Sequence, residues 1–193
     1  MCVPHSEPGI LRLVPSQALR GVDVLVVLGL LRHRAGEWTV RMLARELHMP
    51  LATVQRSLGR LGTTPAFDPE RRHVDIAGCE ELFEHALAFV APASLGKSAR
   101  GTPTAWAVPA LAKRLRVSAD APQPVWPQPR GRVRGVAVRP LHAGVLALAA
   151  ADPEMHELLA LTDAARLGDA KVSKRALGLL QAWIASSPAA QET

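Results

Sequence analysis

Tyrosine is absent from the 193-residue chain, and phenylalanine and tryptophan together hold aromatic content to 4%. So few large rings are needed inside, and Trp38 and Phe67 read as core anchors rather than base-stacking platforms. Cysteine is nearly absent too. Cys2 and Cys79 give neither a disulfide framework nor a zinc-ligand spacing, and they read as free thiols. No apolar run approaches the roughly 18 residues that span a bilayer. The longest, residues 24–31, is closed by Arg32, His33 and Arg34 and reads as a buried helix. The opening residues lack the charged and apolar regions of a signal peptide, which gives the expectation of a cytoplasmic protein without membrane contact. At roughly 150 residues per domain, the length allows one large domain or a small one with an extension. With 48% hydrophobic and 21% charged residues, the chain can form a core.

Acidic residues are scarce in one region only. Residues 91–150 carry nine Lys/Arg against a single Asp/Glu, whereas residues 1–90 balance at ten each and residues 151–193 are slightly acidic. The net charge of +6 therefore sits in the middle of the chain. A basic band of this kind suits a polyanion, or it serves solubility as surface arginine does.

In the first ninety residues, apolar positions 19, 22, 25, 26, 29 and 30 follow a helical rhythm with Ser16 as N-cap. Ala35-Gly36 ends that helix. A second is expected over residues 40–47, capped by Thr39, and a third after Pro50 with Leu51, Val54, Leu58 and Leu61 facing inward. Residues 64–67 and 72–76 then bracket the turn sequence Asp68-Pro69-Glu70-Arg71 as a small hairpin. A further helix over residues 80–90 carries Leu82, Phe83, Ala86, Leu87 and Val90 along one side, to pack on this unit or to form a dimer seam.

Three helices and a hairpin, with Leu43-Ala44-x-Glu46-Leu47 followed by Thr53-Val54-x-x-Ser57-Leu58-x-x-Leu61, resemble bacterial winged helix-turn-helix transcriptional regulators over about residues 18–77. Ala44 stands where the two helices of the motif cross, and Leu47 and Val54 fill the wedge. His48 occupies the turn position where many members have glycine, so it must accept a left-handed conformation. With Val54, Leu58 and Leu61 inside, Thr53, Gln55, Arg56 and Arg60 face outward as groove-reading side chains; Gln pairs with adenine and Arg with guanine. Arg71 and Arg72 lie at the hairpin tip, where a wing reaches phosphates or the minor groove. A solvated face or a protein-docking module is the alternative for the same residues.

Eight prolines between residues 91 and 140 exclude a long helix there, while Trp106, Trp126 and the strand-like residues 133–138 argue for an ordered, irregular extension. Helical character returns at residues 142–150, from Asp152-Pro153-Glu154 to Arg166, and from Asp169 to Ile184. The fold class is thus mainly α with a small β-hairpin wing: a winged helix-turn-helix at 16–90, a Pro-rich basic extension with a short strand at 91–140, and a helical unit at 141–185. The motifs Arg100-Gly101-Thr102-Pro103-Thr104-Ala105, Pro124-Val125-Trp126-Pro127, Val133-Arg134-Gly135 and residues 158–168 are similar to a bacterial winged-helix family grouped with MarR-like regulators. That resemblance implies regulators, or antitoxin-like partners of nucleotidyltransferase-type or toxin-like proteins. It supplies no catalytic residues.

Chemistry is sparse elsewhere. Gly96-Lys97-Ser98 echoes the end of a phosphate-binding loop, but Ala91 stands where the leading glycine belongs. The seven histidines form no ligand pair with a carboxylate, and Asp152, Glu154, Glu157 and Asp163 are explained by helix capping and solvation, so neither an enzyme, a metal nor a cofactor is expected. The expected partner is double-stranded DNA, bound by a homodimeric repressor; the alternative is an antitoxin-like or adaptor protein gripping an enzyme. Arg130, Arg132 and Arg134, two apart, would share one face of an extended strand and contact phosphate, or else charge a solvated edge.

Overall fold

The computed structural model describes residues 18–118 and 120–186; the expected cap Ser16, like Cys2, lies outside the described residues. The first helix, α1 (Gly21–Arg32), begins after Arg20, whose backbone N–H is accepted by Asp23 Oδ2 at 2.7 Å. Residues 24–28 and Leu30–Leu31 are all buried, so α1 is apolar on every side and serves as the axis of the molecule. Helices α2 (Val40–Glu46) and α3 (Leu51–Leu61) pack on it. Gly29 lets them approach, because a Cβ there would stand 2.8 Å from Leu43 Cδ1.

Strands β1 (Phe67–Asp68) and β2 (His73–Val74) form the expected antiparallel hairpin, with Phe67 opposite Val74 and Asp68 opposite His73. Asp68 Oδ1 accepts the N–H groups of Glu70 and Arg71 at 2.9 and 3.0 Å and so shapes the turn. The next helix is longer than expected. It starts at Ile76, capped by Asp75, and runs through α4 (Ile76–Glu81), a π turn (Leu82–Ala86) and α5 (Leu87–Val90). Cys79 is buried within α4, and burial, reinforced by Asp75 and Glu80, pushes its thiol up to about 12.

The Pro-rich segment is more regular than the sequence suggests. Strands β3 (Ser98–Pro103), β4 (Pro124–Pro127) and β5 (Val133–Ala137) close on one another, β3 antiparallel to both others and β4 parallel to β5. A 3₁₀ turn (Ala105–Ala107) and α6 (Pro109–Leu115) connect β3 to β4. The last described elements are α7 (Val145–Ala151), α8 (Pro153–Leu167) and α9 (Ala170–Ser186). Asp152 caps α8 as expected, accepting from Met155 N at 3.0 Å, and Asp169 Oδ1 accepts from Val172 N at 2.9 Å ahead of α9.

Asp163 corrects an expectation. It is not a solvated helix-start acid but a buried hub in the middle of α8. Its Oδ2 accepts Thr104 Oγ1 and Trp126 Nε1, both at 2.7 Å, and its Oδ1 accepts Arg166 Nε at 2.9 Å. Burial pushes its carboxyl upward, against the pull of Arg166 and the two other donors. The barrel is thus bolted to α8 by a polar cluster whose donors come from β4, from the end of β3 and from α8 itself.

Candidate nucleic-acid interface

The helix-turn-helix is built by α2, the residues 47–50 and α3. Thr39 Oγ1 caps α2 by accepting Met42 N at 3.1 Å. Ala44, Leu47 and Val54 are buried at the crossing, as the motif requires. His48 has φ 50°, the left-handed conformation expected of it. Met49 N donates to Ala44 O at 2.9 Å and closes the turn.

The phase of α3 is fixed from the far side by a carboxylate the sequence did not advertise. Asp23, buried in the first turn of α1, accepts from Ser57 Oγ, from Arg60 Nε at 2.8 Å and from Arg60 Nη2 at 2.5 Å. Ser57 is buried in place of Leu51, which is 39% exposed. Arg60 was expected on the groove-facing side; instead its side chain is only 13% exposed and lies against Asp23. The hydrogen bonds it donates to Asp23 raise its already high pKa, so it stays a cation. Its role in the structure is to lock α3 to α1.

What remains outward on α3 is Thr53, half-buried, with Gln55 and Arg56 exposed. Arg56 Nη2 lies 3.4 Å from Thr53 Oγ1, a long contact that leaves the guanidinium available. In the wing the two arginines divide. Arg72, at φ 52°, places its guanidinium 4.5 Å over the Trp38 ring and donates to Trp38 O at 2.8 Å. Trp38 in turn lies 6.1 Å from Phe67, so a cation–π and aromatic stack clamps the hairpin to the α1–α2 connection. Arg71 is 85% exposed and only loosely paired with Asp68 at 3.8 Å.

Arg130, Arg132 and Arg134 are exposed, but they do not form the single-strand row expected: Arg130 and Arg132 lie in the connection before β5, and only Arg134 is in it. The loop-like Gly96-Lys97-Ser98 runs directly into β3, with Gly96 N donating to Ala137 O at 2.8 Å, and no helix follows it. Among the described residues no group of three His, Cys, Asp or Glu side chains could hold a metal ion, and no helix is long and apolar enough to cross a membrane.

Residues 20–62 match the IclR helix-turn-helix domain family. The match spans α1 to the end of α3 and stops short of the wing and the Pro-rich motifs. It makes the chain a helix-turn-helix DNA-binding regulator of transcription. No curated protein and no solved structure matches the chain significantly.

Proposed function

We propose that the protein represses transcription by seating α3 in the major groove of its operator, where Gln55 and Arg56 read bases and Thr53 and Arg71 hold phosphates. The observation that carries this reading is the lock at Asp23: with Arg60 and Ser57 held inward, α3 presents only Thr53, Gln55 and Arg56 of its polar side chains. Arg60 leaves the contact set, and Arg72 acts by fixing the wing to Trp38 while adding its charge. Two copies reading two half-sites in the cytoplasm complete the proposal, with the Pro-rich motifs carrying its MarR-like kinship. The helix-turn-helix match favours this regulator over the antitoxin-like or adaptor alternative.

Fluorescence anisotropy with duplex from upstream of the protein's own gene, at two salt concentrations, tests it. Arg56→Ala or Gln55→Ala should cost about 1–3 kcal/mol and relax base preference, whereas Arg71→Gln should weaken all sequences alike and reduce the salt slope by about 1. Absence of binding at low salt overturns the reading. Sedimentation of the free protein and of its DNA complex tests the two-copy arrangement.

A further inference from the structure

Three glycines explain how the small barrel closes. A Cβ on Gly101 would stand 2.0 Å from Trp126 O, one on Gly131 would stand 2.3 Å from Gly101 N, and one on Gly135 would stand 2.1 Å from Gln123 O. None of the three has a positive φ, so they are required for close backbone approach and not for turning. Each turns its missing side chain inward. Alternation then sends the neighbouring residues outward. Those neighbours are Arg100 before Gly101 and Arg134 before Gly135; Arg130 and Arg132, in the connection on either side of Gly131, are exposed as well.

The register brings them together. Arg100 is the direct cross-strand partner of Arg134, Gly101 that of Val133, and Gly131 lies against the backbone of Gly101. Gln128 N donates to Arg100 O and Gly131 N to Gln128 O, both at 2.9 Å, which folds the Arg130–Arg132 connection over the same end of the barrel. Like charges directly opposite on a sheet repel. Among the described residues no carboxylate forms an ion pair with any of the four. Each strand pairs with both others, β4 meeting β5 at Pro124 opposite Val136 and at Val125 opposite Ala137.

We infer that Arg100, Arg130, Arg132 and Arg134 form a second contact for the phosphate backbone of duplex DNA, separate from the bases read by α3. The inference rests on the DNA-binding reading above. A phosphodiester chain relieves the repulsion at all four positions at once, and polar groups beside them complete a backbone site: Ser98 Oγ, 3.4 Å from Arg134 Nε, and the Thr102–Gln128 pair at 3.2 Å. A protein partner fits less well, since interface cores call for apolar anchors and the patch offers only Val133, 37% exposed. The sequence alone pointed to Arg130, Arg132 and Arg134; Arg100 enters through the β3–β5 register.

The test replaces all four arginines with glutamine in the full-length protein and measures binding to the upstream duplex and to a random-sequence duplex of the same length across a salt series. The slope of log K against log salt should become shallower by roughly 3, with at least a roughly tenfold loss at low salt and an unchanged ratio between the two duplexes. The corresponding quadruple lysine variant should regain most of the slope. Because the four charges repel one another, the glutamine variant should melt no lower than wild type by circular dichroism. If wild type binds duplex and the glutamine variant matches it in slope and affinity, this inference alone is overturned. It is overturned equally if the variant loses only binding to an RNA hairpin. Wild type failing to bind any duplex at low salt overturns the DNA-binding reading, and this one with it.

Discussion

At the scale of single residues, two buried carboxylates, Asp23 and Asp163, organise the molecule, and neither role is marked in its own sequence context. Asp23 begins a helix whose following residues are almost all apolar; its partners Ser57 and Arg60 lie 34 and 37 residues away. Helical spacing on α3 places Arg60 outward by default, and only a partner presented by another helix could reverse that. Removing one member of such a pair leaves an uncompensated buried charge, so Asp23→Ala and Arg60→Ala should each cost about 3–5 kcal/mol in urea unfolding. The double variant should cost clearly less than the sum. Arg56→Ala, on the exposed side of the same helix, should stay within about 0.5 kcal/mol. Should Arg60→Ala match Arg56→Ala in stability while abolishing DNA binding, Arg60 would return to the reading surface.

At the scale of elements, what could be read in advance tracks how local the signal is. The helices of the first half follow from apolar spacing, the cap at Thr39 and the turn at His48, all of which act within a few residues. The barrel does not, because its strands are short and carry Pro103, Pro124 and Pro127, residues that weaken any strand pattern, while its closure depends on backbones crossing at Gly101, Gly131 and Gly135. Gly101→Ala should therefore destabilise at or beyond the upper end of about 1–3 kcal/mol. Gly178→Ala on α9, where a Cβ meets nothing within 4 Å, should stabilise by about 0.5–1 kcal/mol. Comparable losses from both would remove the close-approach explanation. The capping acid of α8 makes a pH prediction. Burial pushes the Asp152 carboxyl up, but the Met155 N–H and the Arg32 guanidinium outweigh it and hold the carboxyl below its usual range. Its contribution is thus present above the unfolded value of about 3.9 and is lost as pH falls through the lower folded value. Asp152→Asn keeps a capping acceptor and removes the charge. Its urea midpoint should lie below that of wild type near neutrality, and the two should converge in acid.

At the scale of the whole molecule, the helix-turn-helix is not an appendage joined by a linker. Its buried residues belong to the same apolar cluster as those of α6 to α9. Arg32, at the end of α1, pairs with Asp152 and lies 3.3 Å from Glu154. Gly144, ahead of α7, sits so close to the recognition turn that a Cβ would be 2.6 Å from His48 O. A cleft of about 380 Å³ is lined by Gly29, His33, Glu46 and His48 on one side and Leu148 and Met155 on the other. The C-terminal unit therefore buttresses the turn that sets the angle between α2 and α3, and both halves should unfold together. The tryptophans allow this to be measured, since Trp38 lies in the first half and Trp106, Trp126 and Trp183 in the second. In a Trp38→Phe variant, fluorescence reports the second half alone, and its urea transition should coincide with the loss of helical circular dichroism for the whole chain. A fluorescence transition displaced from the circular dichroism transition would instead establish two independently unfolding units, and with them a helix-turn-helix whose geometry owes nothing to α7 and α8.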